Sequence, residues 1–79
     1  MLTEAALICL VLAVEHEAKG EPLLGQYGVV HTIRNRSKYN SDNVCKVVFA
    51  PYQFSFTIKF PGDTAKDFPK YAHIAKMAW

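Results

Sequence analysis

Three carboxyls crowd one short stretch of this chain, Glu15, Glu17 and Glu21, with His16 between the first two. Glu17 is the sharpest candidate for proton chemistry. It follows an apolar run from Ala5 through Val14 and precedes Gly20, which puts it at the polar end of an otherwise greasy helix. A carboxyl at the edge of an apolar core resists ionisation, because desolvation disfavours the charged form. A proton held that way is what a general acid needs to protonate a leaving oxygen, such as that of a glycosidic bond. The plainer alternative is a solvated carboxylate at a helix end, although a Glu there opposes the helix dipole.

The other candidates are weaker. Glu15 points away from Glu17 on a helix, and Glu21 lies one turn on, beyond Gly20. Retaining glycosidases hold two carboxyls roughly 5–5.5 Å apart; this spacing guarantees no such pair, and Glu21 reads as a capping or orienting residue. His16, His31 and His73 could shuttle protons, but they are far apart in sequence and no serine or cysteine elbow accompanies them. Each reads better as a surface or hydrogen-bonded histidine. Gln53-Phe54-Ser55 brings together an amide, a ring and a hydroxyl after a proline. Such a segment could line a sugar-binding groove; unaided, it reads as a packed loop.

Helices must position these groups. Thr3 can cap the first one, with Glu4 well placed in its first turn. The run to Val14 is apolar on every side, so this helix should be wrapped by others. Gly20 supplies a stop. Pro22 suits the first turn of a second helix, with Glu21 as its cap. Leu23, Tyr27, Val30 and Ile33 recur at helical spacing as its inner face, and Gly25 and Gly28 leave room for another backbone. That helix should end near Arg36 or Ser37. Ser41 or Asp42 can cap a short third helix with Val44, Val47 and Val48 inward, ended by Pro51. Residues 52–60 are rich in aromatic and β-branched types and suggest an extended segment. Pro61-Gly62-Asp63 is a turn, and Asp67 and Pro69 suit the start of a fourth helix reaching Trp79. The expected fold is mainly α, about four helices around a buried N-terminal one.

The totals narrow the function further. With 79 residues the chain is one small domain or part of one. Hydrophobic residues at 51% against 20% charged exclude disorder. A net charge of +2 is too small to indicate nucleic acid, and Arg34, Arg36 and Lys38 fall where they complement a helix end. A weak positive field could still favour an anionic cell wall. The apolar run is too short to span a bilayer and lacks the basic start and cleavage site of a signal peptide. Two cysteines make no disulfide framework; Cys9 and Cys45 are either small core residues or one bridge, which spacing does not decide. No histidine stands at ligand spacing from a cysteine, so no zinc site is expected.

The order of short elements is more telling than any one residue. Glu17-Ala18-Lys19-Gly20-Glu21-Pro22, Gly25-Gln26, Asn35-Arg36, Val44-Cys45 with Val47-Val48, and Gln53-Phe54-Ser55 together resemble the SleB-type cell-wall hydrolases, which include spore-cortex-lytic enzymes and many phage-encoded proteins. The resemblance runs from about Leu7 to Trp79. Its Glu-Ala-x-Gly-Glu-Pro element is fairly specific; the Asn-Arg and Gln-Phe-Ser elements are weak alone. It implies a lysozyme-like α+β fold and cleavage of glycan strands between N-acetylmuramic acid and N-acetylglucosamine by lytic transglycosylation, without metal or cofactor. It maps the catalytic acid/base onto Glu17 and supporting roles onto Glu21, Gln53, Phe54 and Ser55. Lys19 stands where the family commonly has arginine, and Phe56 where tryptophan is frequent. The family domain continues beyond this length, so the 79 residues are expected to form its N-terminal portion. The partner implied is peptidoglycan, met by a monomer with no membrane insertion. Synthesis in the cytoplasm is expected, with action at the wall after phage-type release or as part of a virion. Hydrolysis at the same site, or a catalytically incomplete peptidoglycan-binding module, are the alternatives.

Overall fold

A computed structural model of the chain describes residues 1–50 and 67–79. Among these residues four helices form in the expected order: α1 (Glu4–Ala18), α2 (Leu23–Arg36), α3 (Val44–Phe49) and α4 (Phe68–Ala78), with a 3-10 turn at Ser41–Asn43 ahead of α3. The expected extended segment, residues 52–60, lies outside the described residues.

Helix α1 is the axle. Leu10, Val11, Ala13 and Val14 are wholly buried, and Cys9 and Leu12 nearly so. The all-round apolar run is therefore satisfied by packing against α2, α3 and α4 together. Thr3 caps it as expected, its Oγ1 accepting from Ala6 N at 3.1 Å. Ser41, expected to cap the third helix, instead ties down the start of α1: Thr3 N donates to Ser41 Oγ at 2.8 Å. The cap before α3 falls to Asn40, whose side chain accepts from Asp42 N at 3.0 Å. A 3-10 turn precedes α3, so the capping position moves upstream. The disulfide Cys9–Cys45 then pins α1 to α3.

Several details of α2 differ from expectation. Pro22 sits at the N-cap, one position before the first turn, and its carbonyl accepts from Gly25 N and Gln26 N at 2.9 and 3.2 Å. Glu21 does not cap. The buried face is Gln26, Val30 and Ile33, while Leu23 is 51% exposed and Tyr27 only partly buried. The face has rotated because Gln26, a polar residue that an apolar periodicity ignores, has a buried task at the α1–α2 turn. No glycine among the described residues has positive φ, so Gly20 does not stop α1 through the left-handed conformation.

Among the described residues, the nearest atoms to a Cβ at Gly25 belong to the Glu21 side chain, and none comes within 4 Å of one at Gly28. Around Gly28 there is open space. A glycine in an exposed helix interior only lowers helix propensity. Gly28→Ala is expected to stabilise the fold by about 0.5–1 kcal/mol, read as a rise of a few degrees in the thermal midpoint. An unchanged or lower midpoint would mean that Gly28 meets something in solution that this fold does not contain.

Helix α4 buries Tyr71, Ala72, Ile74, Ala75 and Ala78 against the axle. Its last carbonyls are capped from α2. His31 Nε2 donates to Ala78 O at 3.0 Å, and Arg34 Nη1 donates to Ala78 O and Trp79 O at 3.3 and 3.0 Å. Arg34 was expected to complement the end of its own helix; it serves the end of α4 instead, because α2 and α4 pack side by side. No helix among the described residues is long and apolar enough to cross a membrane.

Candidate functional site

The candidate site is the turn between α1 and α2. Glu17 occupies the last turn of α1, one residue before buried Ala18. It is half-buried, as is Glu15, whereas His16 between them is exposed. Glu17 is three residues beyond Val14 and seven beyond Leu10, both wholly buried, so it flanks the core-facing stripe. The edge-of-core position expected from the sequence is present, with the carboxyl only partly withdrawn from solvent.

Gln26 holds this turn together. It is 4% exposed, and its Nε2 donates to Ala18 O at 3.2 Å and Glu21 O at 3.4 Å. The last carbonyl of α1 and the carbonyl before Pro22 are thus bound by one side chain. Glu21 N also donates to Ala18 O, at 3.0 Å. One amide thereby fixes the angle between the helix that carries Glu17 and the one that follows Glu21. Sequence reasoning gave Gln26 no role; the available signal was a polar residue in register with Val30 and Ile33. Gln26→Met keeps the volume and removes the donor. The expected cost is about 1–2 kcal/mol in chemical denaturation, together with loss of the fixed geometry around Glu17. A variant as stable as the parent would show that the turn closes without this bond.

Glu21 is exposed, and its side chain folds back over the first turn of α2. A Cβ at Gly25 would lie 3.1 Å from Glu21 Cβ and 3.8 Å from its carboxyl oxygen. Gly25 therefore makes room for Glu21. A carboxylate beside a helix N-terminus is electrostatically favoured, which suits an orienting role better than a second catalytic one. The remaining candidates, Gln53, Phe54 and Ser55, lie outside the described residues. The histidines are not brought together: His31 caps α4, His16 is exposed on α1 and His73 is exposed on α4.

A concavity of about 630 Å³ lies elsewhere, lined by Arg36, Lys38, Asn43, Lys46, Val47 and Ala50. The Thr3–Ser41 bond brings the start of α1 beside the end of α2, so these helices run antiparallel. None of these lining residues belongs to the turn between α1 and α2 that carries Glu17.

A small helical domain with a carboxyl at the polar end of its central helix is the class that fold and turn define. The Cell Wall Hydrolase family model matches residues 20–78, and the chain belongs to that family, whose substrate class is peptidoglycan. Glu21, Gln26 and Gln53-Phe54-Ser55 fall within the matched span; Glu17 stands three residues before it. Neither the curated proteins nor the solved structures compared with the chain contain a match.

Proposed function

We propose that the chain cleaves the glycan strand of peptidoglycan between N-acetylmuramic acid and N-acetylglucosamine, as a lytic transglycosylase of the SleB type, with Glu17 as its single acid/base. The observation that carries this reading is the half-buried Glu17 on the last turn of the most buried helix, at a turn locked by Gln26.

In this mechanism protonated Glu17 gives its proton to the glycosidic oxygen as the bond to the muramic anomeric carbon breaks. The resulting carboxylate takes the proton of the muramic 6-hydroxyl, whose oxygen closes on that carbon. The product is a 1,6-anhydro end, Glu17 is again protonated, and no water is consumed. One carboxyl used twice fits a turn where the Glu21 side chain lies over the first turn of α2. Gln53, Phe54 and Ser55 are assigned the substrate side of the groove through the resemblance of their motif. The enzyme acts at the wall, delivered after phage-type release or as a virion component.

The decisive experiment is mass spectrometry of the sugars released from purified peptidoglycan. Anhydro ends support transglycosylation, and reducing ends at the same linkage support muramidase-type hydrolysis. Sedimentation with the wall without any soluble release would reduce the protein to a binding module.

A further inference from the structure

We propose that the hollow lined by the end of α2 and by α3 binds the carboxylate-bearing peptide stems of peptidoglycan. This inference rests on peptidoglycan being the substrate, but not on the assignment of Glu17. The hollow is built where α2 ends, through the following turn, and along α3. Arg36, Lys38 and Lys46 bring three cations to it, and among the described residues none that lines it is acidic. Val47 and Ala50 supply an apolar surface between them, and Asn43 adds an amide whose Nδ2 donates to Ser37 O at 3.4 Å. A phosphate polymer would use the cations alone. A peptide carries carboxylates, amides and short aliphatic side chains together, and so uses every kind of group present.

The backbone supplies a second, independent observation. Lys38 and Tyr39 have φ of 57° and 61°, two consecutive non-glycine residues in the left-handed region. That conformation is disfavoured for both residue types. Strained positions that persist are a reason to suspect function. Tyr39 has a local reason: the Arg34 guanidinium lies 4.8 Å from its ring centroid. Among the described residues the Lys38 side chain makes no such contact; it is exposed and lines the hollow. A glycine there would serve the turn better, and a lysine serves the ligand.

The test uses the complete chain and purified peptidoglycan stripped of attached phosphate polymers, with sedimentation at low salt as the readout. Lys38→Gln with Lys46→Gln should lower affinity about fivefold, the effect of two exposed charge contacts. Amidating the wall carboxylates should weaken the parent by a similar factor and barely affect the double variant, because the two changes remove the same contacts. Lys38→Gly should raise the thermal midpoint while weakening binding. Unchanged sedimentation of the double variant overturns the proposal. So does an equal effect of amidation on parent and variant, which puts the carboxylate contact elsewhere, or binding that requires the phosphate polymers. A Lys38→Gly variant that is more stable and binds as well as the parent overturns it too. Failure of the Glu17 assignment would appear in fragment release and leave these binding results untouched.

Discussion

Glu17→Gln is expected to lower the release of soluble fragments from peptidoglycan by at least ~100-fold, the usual contribution of a positioned general acid/base. The amide keeps the shape of the side chain and its place on the last turn of α1, beside buried Val14 and Ala18. It has no proton to give to a glycosidic oxygen and cannot take one from a hydroxyl. The thermal midpoint should move little, since the amide matches the carboxyl in size at a half-buried position. Sedimentation with the wall should persist. Dye release from labelled peptidoglycan at the parental rate would remove Glu17 from the mechanism. Glu21→Gln is the internal comparison: it should reduce the rate far less, because that carboxyl is folded over the start of α2. The opposite ranking would transfer the acid/base role to Glu21, which lies within the family match.

Removing the Cys9–Cys45 bridge is expected to have the largest effect on stability. The two cysteines are 36 residues apart, and closing a loop of that length stabilises a fold by about 4 kcal/mol in the chain-entropy account. A chain of this size has a total stability of roughly 4–12 kcal/mol. Cys9→Ala with Cys45→Ala, or reduction of the parent, should therefore lower the thermal midpoint by roughly 15–30 °C. The reason is local as well as entropic: the bridge pins the axle helix to α3, which is only six residues long and has no side-chain cap bond of its own. A midpoint shift under ~5 °C on reduction would show that helix packing holds α3 without the bond. The bridge also suits a protein that acts outside the reducing cytoplasm, at the wall.

Much of this molecule is legible without coordinates, and for a simple reason. Helix starts, ends and apolar runs are local properties. Thr3 as a cap, the buried run to Val14, the end of α2 at Arg36 and the start of α4 at Phe68 all follow from neighbours within a turn or two. The order of short motifs is equally local, and it pointed to the cell-wall hydrolases, the family to which the match over residues 20–78 assigns the chain. What sequence left open were relations between distant segments. Whether Cys9 meets Cys45 depends on how α3 packs on α1, and so does the exchange that gives Ser41 to Thr3 and leaves capping to Asn40. Leu23 was placed inward because its hydrophobicity fits the period; the packed helix turns Gln26 inward instead, since two carbonyls at the α1–α2 turn accept from a buried amide. Arg34 reads as a charge near its own helix end and proves to cap another. In each case the residue's partner comes from another segment of the chain, so only the packing of the helices could decide it.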